Sequence, residues 1–599
     1  MNKSIILLLI AISSGFALHA QKATKDTIIR RDMVLEKEYQ PEVVTSERMI
    51  LLPELEKISA GKKQPIFSLT GNPARIKGEY LPLPAPELKA EYPAQDQLGY
   101  FSLGAGSKLS FFADGQLNLI RKPKQALDIR LMHSSIFGDI TNTMNVNSRA
   151  YNNNNRIMAN YKLHLPGNEL TVGLSEKYNA WNYYGTWQNP LTAIGDAYPN
   201  VPGGQWLSDT KFSAGFKSKN LNQAFTWNIG AESHIFRLGR GIPAPLTTDK
   251  VKGGRENELH IKAILNYDIS ENFHIGLDGQ ILQFSYRSPD SYSLDETFYN
   301  DQATYFKKQN WIVVNPYARW TYKKWEIKTG LKVTVPSLET QKVKYNLTAS
   351  ATTSINDKAS FRLSVDGGML PVSYREGFEM NQYLDPSIRI MPLWKPIGIS
   401  AGIDYRPIKS LRISPVLEYE RVNNMPFFYN GYPSPSEYIN QTYGHLFSVK
   451  YMKSNRISIG ADVLYNYRNK LTISGNARYN QYVNYSDDAT VDAQLDVNGR
   501  KAWYNPALEI QCRLDYKPVE KISLFAGYQI FAMRYAATPD AFSAKLDDIN
   551  DLNIGVIWMM AKDVNVFFKL DNMLDQRYDI WNGYRVHGFS AMVGGSVSF

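Results

Sequence analysis

The chain of 599 residues contains a single cysteine, Cys512. One cysteine excludes a disulfide framework and a cysteine-based metal site. The histidines do not pair at metal-ligand spacing, and the sequence lacks the HExxH, Gly-x-Ser-x-Gly, P-loop and dinucleotide-binding motifs. We therefore expect no catalytic residue, no metal and no cofactor, and the chain is predicted not to be an enzyme.

Long apolar runs are also missing, because no stretch beyond residue 20 is apolar enough to cross a membrane as a helix. The mean hydropathy of −0.35 is too low for a helical membrane protein of this size. Dense basic clusters are absent from the sequence, since 67 basic and 57 acidic residues are interspersed, with a formal charge of +10. This pattern indicates solvated polar surfaces, and we expect no nucleic-acid partner.

Residues 1–20 are predicted to be a signal peptide. Lys3 provides the charged start, residues 5–18 form an apolar core, and Ala20 offers a small residue before a cut at Gln21. The alternative is a membrane-anchor helix, but the apolar run is shorter than the roughly 20 residues that a span needs. We expect export and cleavage near Ala20/Gln21.

Residues 21–96 differ in character, because eight prolines fall within them. Proline fixes φ and removes a backbone donor, so the stretch from Leu81 to Pro86 should be extended. No pattern in this segment predicts a core of its own. We expect a proline-rich, non-globular arm, which is either ordered against a larger surface or a disordered periplasmic tail.

The C-terminal stretch alternates between an apolar face and a small polar face. Phe589, Val593, Val597 and Phe599 fall on the apolar face, and this period of two predicts a β-strand. The same pattern recurs through residues 97–599, in a chain with 13% aromatic residues. It is typical of a transmembrane β-barrel, whose closure leaves no unpaired edge in hydrocarbon. We expect the face that ends on Phe599 to be the signal for the barrel-assembly machinery.

Ten short connections rich in turn-forming residues separate the predicted strands. They lie at 122–125, 166–168, 219–222, 268–272, 322–324, 355–358, 406–410, 468–470, 517–521 and 561–564. Ten turns close ten hairpins, with one strand before them and one after. The predicted fold class is therefore all-β, a large antiparallel transmembrane barrel of about 22 strands behind the N-terminal arm.

Charged residues recur on the predicted inner strand faces, which indicates a wet lumen. Inward carboxylates are predicted to balance inward cations, and the residues concerned are Glu418, Glu509 and Asp571 against Arg412, Arg513 and Lys569. Cys512 falls on the outer face of its strand. We expect it to be an unpaired thiol that contacts lipid.

The long connections are predicted at the other end of the barrel, near 183–206, 287–307, 367–394, 422–453 and 484–502. They include aromatic tracts, which lie at 181–187, 425–433 and 479–485. Such rings could stack on sugars or peptides. The alternative, which we favour, is that they pack on each other and on the barrel rim.

The C-terminal end resembles that of the TonB-dependent receptors of Gram-negative outer membranes. That family carries a motif like Asn-Leu-Phe-Asp-x-x-Tyr after its penultimate strand, and Asn572, Asp575 and Tyr578 stand at the matching positions. The resemblance implies a barrel of about 22 strands. It also implies uptake of a solute across the outer membrane.

The sequence departs from this family at its N-terminal side. The resemblance would imply a plug domain inside the barrel, yet only the arm of residues 21–96 is available, and it lacks glycine-rich plug motifs. A segment that resembles a TonB box is formed by Asp26, Thr27, Ile28 and Ile29, or alternatively by residues 42–45.

Three functions therefore stay open. They are uptake of an unidentified solute, a non-transporting scaffold or accessory role in an outer-membrane complex, and a passive porin. The expected partners are outer-membrane lipid, the barrel-assembly machinery, and TonB or another periplasmic or outer-membrane protein.

Overall fold

The computed structural model of the chain describes residues 98–141, 147–185, 204–219, 224–241, 251–289, 308–337, 341–430, 446–468, 470–485, 501–538 and 541–599. The predicted signal peptide and the arm of residues 21–96 lie outside these residues. The TonB-box-like segments, Asp26 to Ile29 and residues 42–45, lie outside them as well.

The described elements are twenty-six strands and one short helix. The first thirteen strands are β1 (Gly99–Gly106), β2 (Ser110–Lys122), β3 (Gln125–Thr141), β4 (Asn147–Leu165), β5 (Asn168–Trp181), β6 (Gln205–Ser218), β7 (Phe225–Leu238), β8 (Arg255–Ser270), β9 (Phe273–Arg287), β10 (Gln309–Tyr322), β11 (Trp325–Pro336), β12 (Lys344–Asn356) and β13 (Ala359–Leu370). They are followed by helix α1 (Tyr374–Met380). The remaining strands are β14 (Leu393–Ile408), β15 (Leu411–Tyr429), β16 (Ser448–Tyr467), β17 (Leu471–Tyr485), β18 (Leu508–Val519), β19 (Ile522–Ala532), β20 (Tyr535–Thr538), β21 (Ala541–Lys545), β22 (Ile549–Ala561), β23 (Val564–Asp571), β24 (Asp579–Trp581), β25 (Tyr584–Arg585) and β26 (Ser590–Ser598). In the described part of the chain, no helix has the length and apolarity needed to cross a membrane.

Twenty-two of these strands form a single antiparallel sheet that closes on itself. The ring closes between β1 and β26, whose register runs from Tyr100↔Ser598 to Gly106↔Met592. The backbones of Gly99 and Phe599 also exchange two hydrogen bonds of 3.0 Å. The predicted barrel and its strand number are confirmed. The two remaining strand pairs, β20–β21 and β24–β25, are hairpins outside the ring.

All ten predicted turns fall between consecutive barrel strands, and they lie together at one end of the barrel, here called the turn end. The N-terminus of β1 and the C-terminus of β26 lie at the same end, because both strands belong to an antiparallel ring. The opposite end is called the long-loop end. It carries helix α1 and both extra hairpins.

The strand faces follow the alternation of the sequence. On β26 and its flanks, Phe589, Val593, Val597 and Phe599 are 42%, 56%, 41% and 49% exposed, whereas the intervening Met592 is buried. Large apolar side chains therefore cover the outside of the barrel, as a hydrocarbon environment requires. Cys512 is exposed on this outer face with a free thiol. That the apolar face of β26 acts as an assembly signal stays a prediction.

Inward carboxylates and cations form salt bridges in the lumen, as predicted, although several of the partners are residues that the prediction did not name. Lys569 and Asp571 form a salt bridge of 2.8 Å, as expected. Two of the other charges form salt bridges with residues on neighbouring strands, Arg412 with Asp404 and Glu418 with Arg456. Arg513 bonds Asp515, two residues along the same strand. Glu509 accepts a hydrogen bond from the Asn480 amide at 3.0 Å. Sequence order does not contain the register across strands, and it is the register that decides which inward groups meet.

Two aromatic tracts that were predicted to be loops are strands. The tract at Met425 extends β15 to Tyr429, and the tract at Tyr479 extends β17 to Tyr485. Phe427 and Phe428 are neighbours, yet both are buried. A strand covered on both faces loses the period of two, so the pattern no longer indicates a strand. The predicted long connection at 422–453 is correspondingly shorter, and residues 367–370 belong to β13.

We predict that Gly594 cannot be enlarged without weakening the barrel. A Cβ atom at Gly594 in β26 would lie 2.2 Å from the carbonyl oxygen of Leu103 and 2.2 Å from the ring of Phe567. Gly594→Ala should destabilise the folded barrel by about 1–3 kcal/mol, because the closing strands cannot relax apart. The measurement is the temperature at which the barrel loses its compact mobility on SDS gels. Gly527→Ala in β19 is the control, since its Cβ would have no atom within 4 Å. Equal transition temperatures for both variants would contradict the prediction.

Candidate functional site

The connections at the long-loop end fold into one buried cluster, here called the cap. Its described residues are 182–185, 371–392, 446–447, 501–507, 533–538, 541–548 and 572–589. Buried aromatic and aliphatic side chains from these segments pack with the protruding ends of β15 and β16 in a single apolar core. The favoured prediction, that loop aromatics pack on each other and on the rim, is confirmed.

Three tyrosines from different connections meet inside the cap. Tyr383 stacks on Tyr584 with ring centroids 3.5 Å apart. Tyr184 packs edge-on against Tyr584 at 5.0 Å, and its hydroxyl donates a hydrogen bond of 3.0 Å to the carbonyl oxygen of Arg585. Burial raises the pKa of Tyr383 to about 12, so its ring stays neutral. These three residues are called the tyrosine tripod.

The position of the tripod follows from the topology of the ring. Tyr184 follows β5, Tyr383 lies between β13 and β14, and Tyr584 lies between β23 and β26. In the order of the ring, these three connections are separated by eight, eight and six barrel strands. Loops that start so far apart around a closed ring can touch only where they cross its opening. The tripod therefore lies across the mouth of the barrel.

Trp581 in the β24–β25 hairpin joins further loops to the tripod. Its ring packs against Tyr504 at 4.6 Å, Phe447 at 5.4 Å and Phe428 at 5.5 Å. Next to it, the side chain of Asn582 donates to Asn430 Oδ1 at 3.0 Å. The β24–β25 hairpin, residues 579–585, thus contacts the connections of the β13–β18 region and is called the hub.

The side chain of Arg534 connects this hub to the connection between β19 and β22. Its guanidinium is fully buried and donates to the carbonyl oxygens of Asp547, Asp579 and Ile580 at 3.1, 2.9 and 2.6 Å. A buried cation needs such partners, because desolvation would otherwise be costly. Arg534 therefore ties the connection between β19 and β22 to the β24–β25 hairpin.

Helix α1 anchors the opposite side of the cap to the barrel wall. Ser373 and Glu376 form a capping box, with hydrogen bonds of 3.1 and 2.9 Å between side chain and backbone. The backbone N–H of Tyr374 donates to Glu256 of β8 at 2.6 Å, and Arg375 forms a salt bridge of 3.2 Å with Glu258. The carboxyl group of Glu256 thus caps the first turn of the helix.

The family-like C-terminal motif forms the turn that enters the cap after β23. Asn572 and Asp575 have φ values of 48° and 46°, a left-handed conformation that Asn and Asp tolerate better than most residues. The Asn572 side chain donates to the carbonyl oxygen of Gln576 at 2.8 Å, and Asp575 accepts from the N–H of Phe589 at 2.8 Å. Tyr578 is buried against Phe531 and Ile549. The geometry gives these residues a turn-forming position beside the hub.

The tripod, Arg534 and helix α1 are not among the features predicted from the sequence. The spacing of Ser373 and Glu376 is the signal that could have revealed the helix. No comparable local signal exists for the tripod, since its members are about two hundred residues or more apart in sequence. In the described part of the chain, no group of three or more His, Cys, Asp or Glu side chains is arranged to hold a metal ion.

We predict that Arg534→Lys loosens the hub. A lysine carries one donor group on an unbranched stem and cannot reach three carbonyl oxygens at once. Losing about two charge-assisted hydrogen bonds should cost about 3 kcal/mol locally, so amides of residues 579–585 should exchange with deuterium roughly a hundredfold faster. Arg577→Lys is the matched control, because that side chain is 56% exposed and lies 3.8 Å from Asp575. Unchanged exchange in Arg534→Lys would show that the three hydrogen bonds do not hold the hairpin.

Comparisons with known proteins place this geometry among outer-membrane receptors at the level of fold. No family model and no curated protein matches the chain. Among solved structures, the ferric-catecholate import receptor of E. coli K12 matches with a TM-score of 0.59 and 11% identity, over 85% of this chain and 82% of that one. The siderophore receptor of Acinetobacter baumannii matches with a TM-score of 0.61 and 10% identity, over 84% and 80%.

A third match is an iron transporter of Neisseria meningitidis, with a TM-score of 0.62 and 10% identity over 84% of this chain and 83% of that one. Identities this low establish the fold alone. The predicted resemblance is confirmed at that level, and the chain has the barrel fold of the TonB-dependent receptors. That Asn572, Asp575 and Tyr578 form the family motif stays a prediction.

Proposed function

We propose that the chain is a receptor-like protein of the Gram-negative outer membrane that takes up a solute through its barrel. The fold, the apolar outer face and the polar lumen support this proposal, and the similar solved structures are import receptors and transporters. Catalysis is not part of the proposal. The substrate remains to be identified.

The observation that carries the proposal is the cap across the barrel mouth. A passive porin needs an open path, whereas here aromatic residues from loops eight, eight and six strands apart stack directly on one another. A solute that passes through this centre would have to separate these contacts. The cap therefore favours a gated receptor over a passive porin.

The orientation follows the rule for bacterial barrels, in which short turns face the periplasm and long loops face outward. The cap then faces the medium, and residues 21–96 would enter the periplasmic side after cleavage near Ala20/Gln21. Asp26 to Ile29 is the segment proposed to contact TonB. In the sequence, the arm occupies the position of the family's plug domain, and we propose that it does not fold into a globular plug.

A scaffold or accessory barrel is the second candidate, and the same cap is the observation in its favour. Its centre is filled by the chain's own side chains, as a barrel that transports nothing would allow. Growth of a deletion strain on single nutrients separates the two candidates, since loss of growth on one nutrient supports uptake. Stable co-purification of another outer-membrane protein in mild detergent, with growth unchanged on every nutrient, supports the scaffold.

We predict that the tripod, rather than the arm, keeps the barrel closed. In planar bilayers, deletion of residues 24–90 should leave the conductance low. The double variant Tyr383→Ala/Tyr584→Ala should raise it severalfold, because two of the three stacked rings are removed. The matched control is Tyr345→Ala/Tyr405→Ala, which removes rings that are 65% and 43% exposed on the outer face.

Two outcomes would contradict this prediction. If the intact chain conducts like a large open pore, the passive porin becomes the favoured function. A strong increase on deleting residues 24–90 alone would mean that the arm, and not the cap, closes the lumen.

A further inference from the structure

We propose that the turn end of the barrel binds the phosphate groups of anionic phospholipids through a set of turn lysines. These are Lys124, Lys323, Lys324, Lys409 and Lys470, which lie in the turns β2–β3, β10–β11, β14–β15 and β16–β17. None of these four turns contains an acidic residue. The lysines are scattered along the sequence, and the antiparallel ring brings them to one rim.

The turn lysines are available to a partner. All five are exposed. Within the described residues, none of the five forms a salt bridge, whereas Lys219 in the β6–β7 connection is paired with the buried Glu169 at 3.0 Å. Some basic residues of this rim are thus neutralised internally, as Lys217 and Arg406 also are, whereas the five turn lysines are not.

Two of these turns place a cation over a tyrosine ring. Lys323 and Arg468 have φ values of 55° and 47°, in the left-handed region that glycine and asparagine occupy at lower cost. Each cation lies over the ring of the tyrosine before it, at 5.3 Å for Tyr322 and 5.2 Å for Tyr467. Both cations therefore stay next to an aromatic ring at the turn end.

Aromatic side chains set the depth of these turns in the membrane. Trp320, Tyr322 and Trp325 flank the β10–β11 turn and are 50%, 53% and 41% exposed, and Tyr405 and Tyr467 lie beside the next basic turns with similar exposure. Tyrosine and tryptophan rings concentrate where hydrocarbon meets the headgroups. Lysines just beyond them extend to the headgroup layer, where the nearest anions are lipid phosphates. This depth favours a lipid over a protein as the partner.

The test uses tryptophans that the chain already has. Trp320, Trp325 and Trp558 are exposed close to the turn end, so their fluorescence is quenched by brominated lipids in contact with that rim. The full-length protein is reconstituted in phosphatidylcholine with either brominated phosphatidylglycerol or brominated phosphatidylcholine. We expect phosphatidylglycerol to bind about fivefold more strongly at low salt, and this preference should approach one at about 0.5 M NaCl.

Two matched variants assign the effect to the turn lysines. Changing Lys124, Lys323, Lys324, Lys409 and Lys470 to Gln should abolish the preference. Changing five exposed lysines of the long-loop end to Gln should leave it intact, and these are Lys252, Lys308, Lys342, Lys501 and Lys545. The salt titration of the unmodified protein tests the proposal even if a variant fails to assemble.

If the unmodified protein shows no preference for phosphatidylglycerol, the proposal is overturned. The partner of the basic rim would then be an acidic protein. Equal losses in the two variants would overturn it as well, because the effect would then reflect net charge. A preference that does not respond to salt would exclude the phosphate contact.

Discussion

The structure depends on the pairing of every backbone N–H and C=O group along a ring without an edge. In hydrocarbon an unpaired strand edge would cost several kcal/mol for each group, so the sheet must close. It does so where β1 meets β26, with Gly99 and Phe599 exchanging their backbone hydrogen bonds. The inner face of this seam is built from glycines under the ring of Phe567, which lets the two ends of the chain approach closely.

Closure also explains which parts of the fold could be predicted from the sequence. Within the membrane each strand has one lipid face and one lumen face, so a period of two is imposed on the residues, and the turns stand out as breaks in it. The strand number, the turns and the outward position of Cys512 followed from this pattern. Beyond the membrane the constraint ends. The end of β15 is covered on both faces, so its aromatic tract loses the period of two. The end of β17 keeps the alternation, with Tyr479 and Val483 exposed and Asn480 and Asn484 buried, so its prediction as a loop has no such explanation.

The candidate site lies in that less predictable region. Tyr184, Tyr383 and Tyr584 meet because the ring holds their loops around one opening, and nothing in their local sequences signals the contact. The pairing of Asp404 with Arg412 or Glu418 with Arg456 was missed for the same reason, since both depend on strand register. Local geometry was more informative at the turn after β23, where Asn572 and Asp575 occupy left-handed positions that few other residues accept.

The tripod has a consequence for the order of folding. Its three tyrosines are carried by loops spread around the whole ring, so they cannot meet while the sheet is still open. The hydrogen bond from the Tyr184 hydroxyl to the carbonyl oxygen of Arg585 joins residues 401 positions apart. Closing so long a loop costs conformational entropy, so contacts of this kind form late in folding. We therefore expect the cap to form after the sheet has closed. On this expectation, resistance of the cap to added protease would distinguish barrels that have closed their seam from those still being assembled.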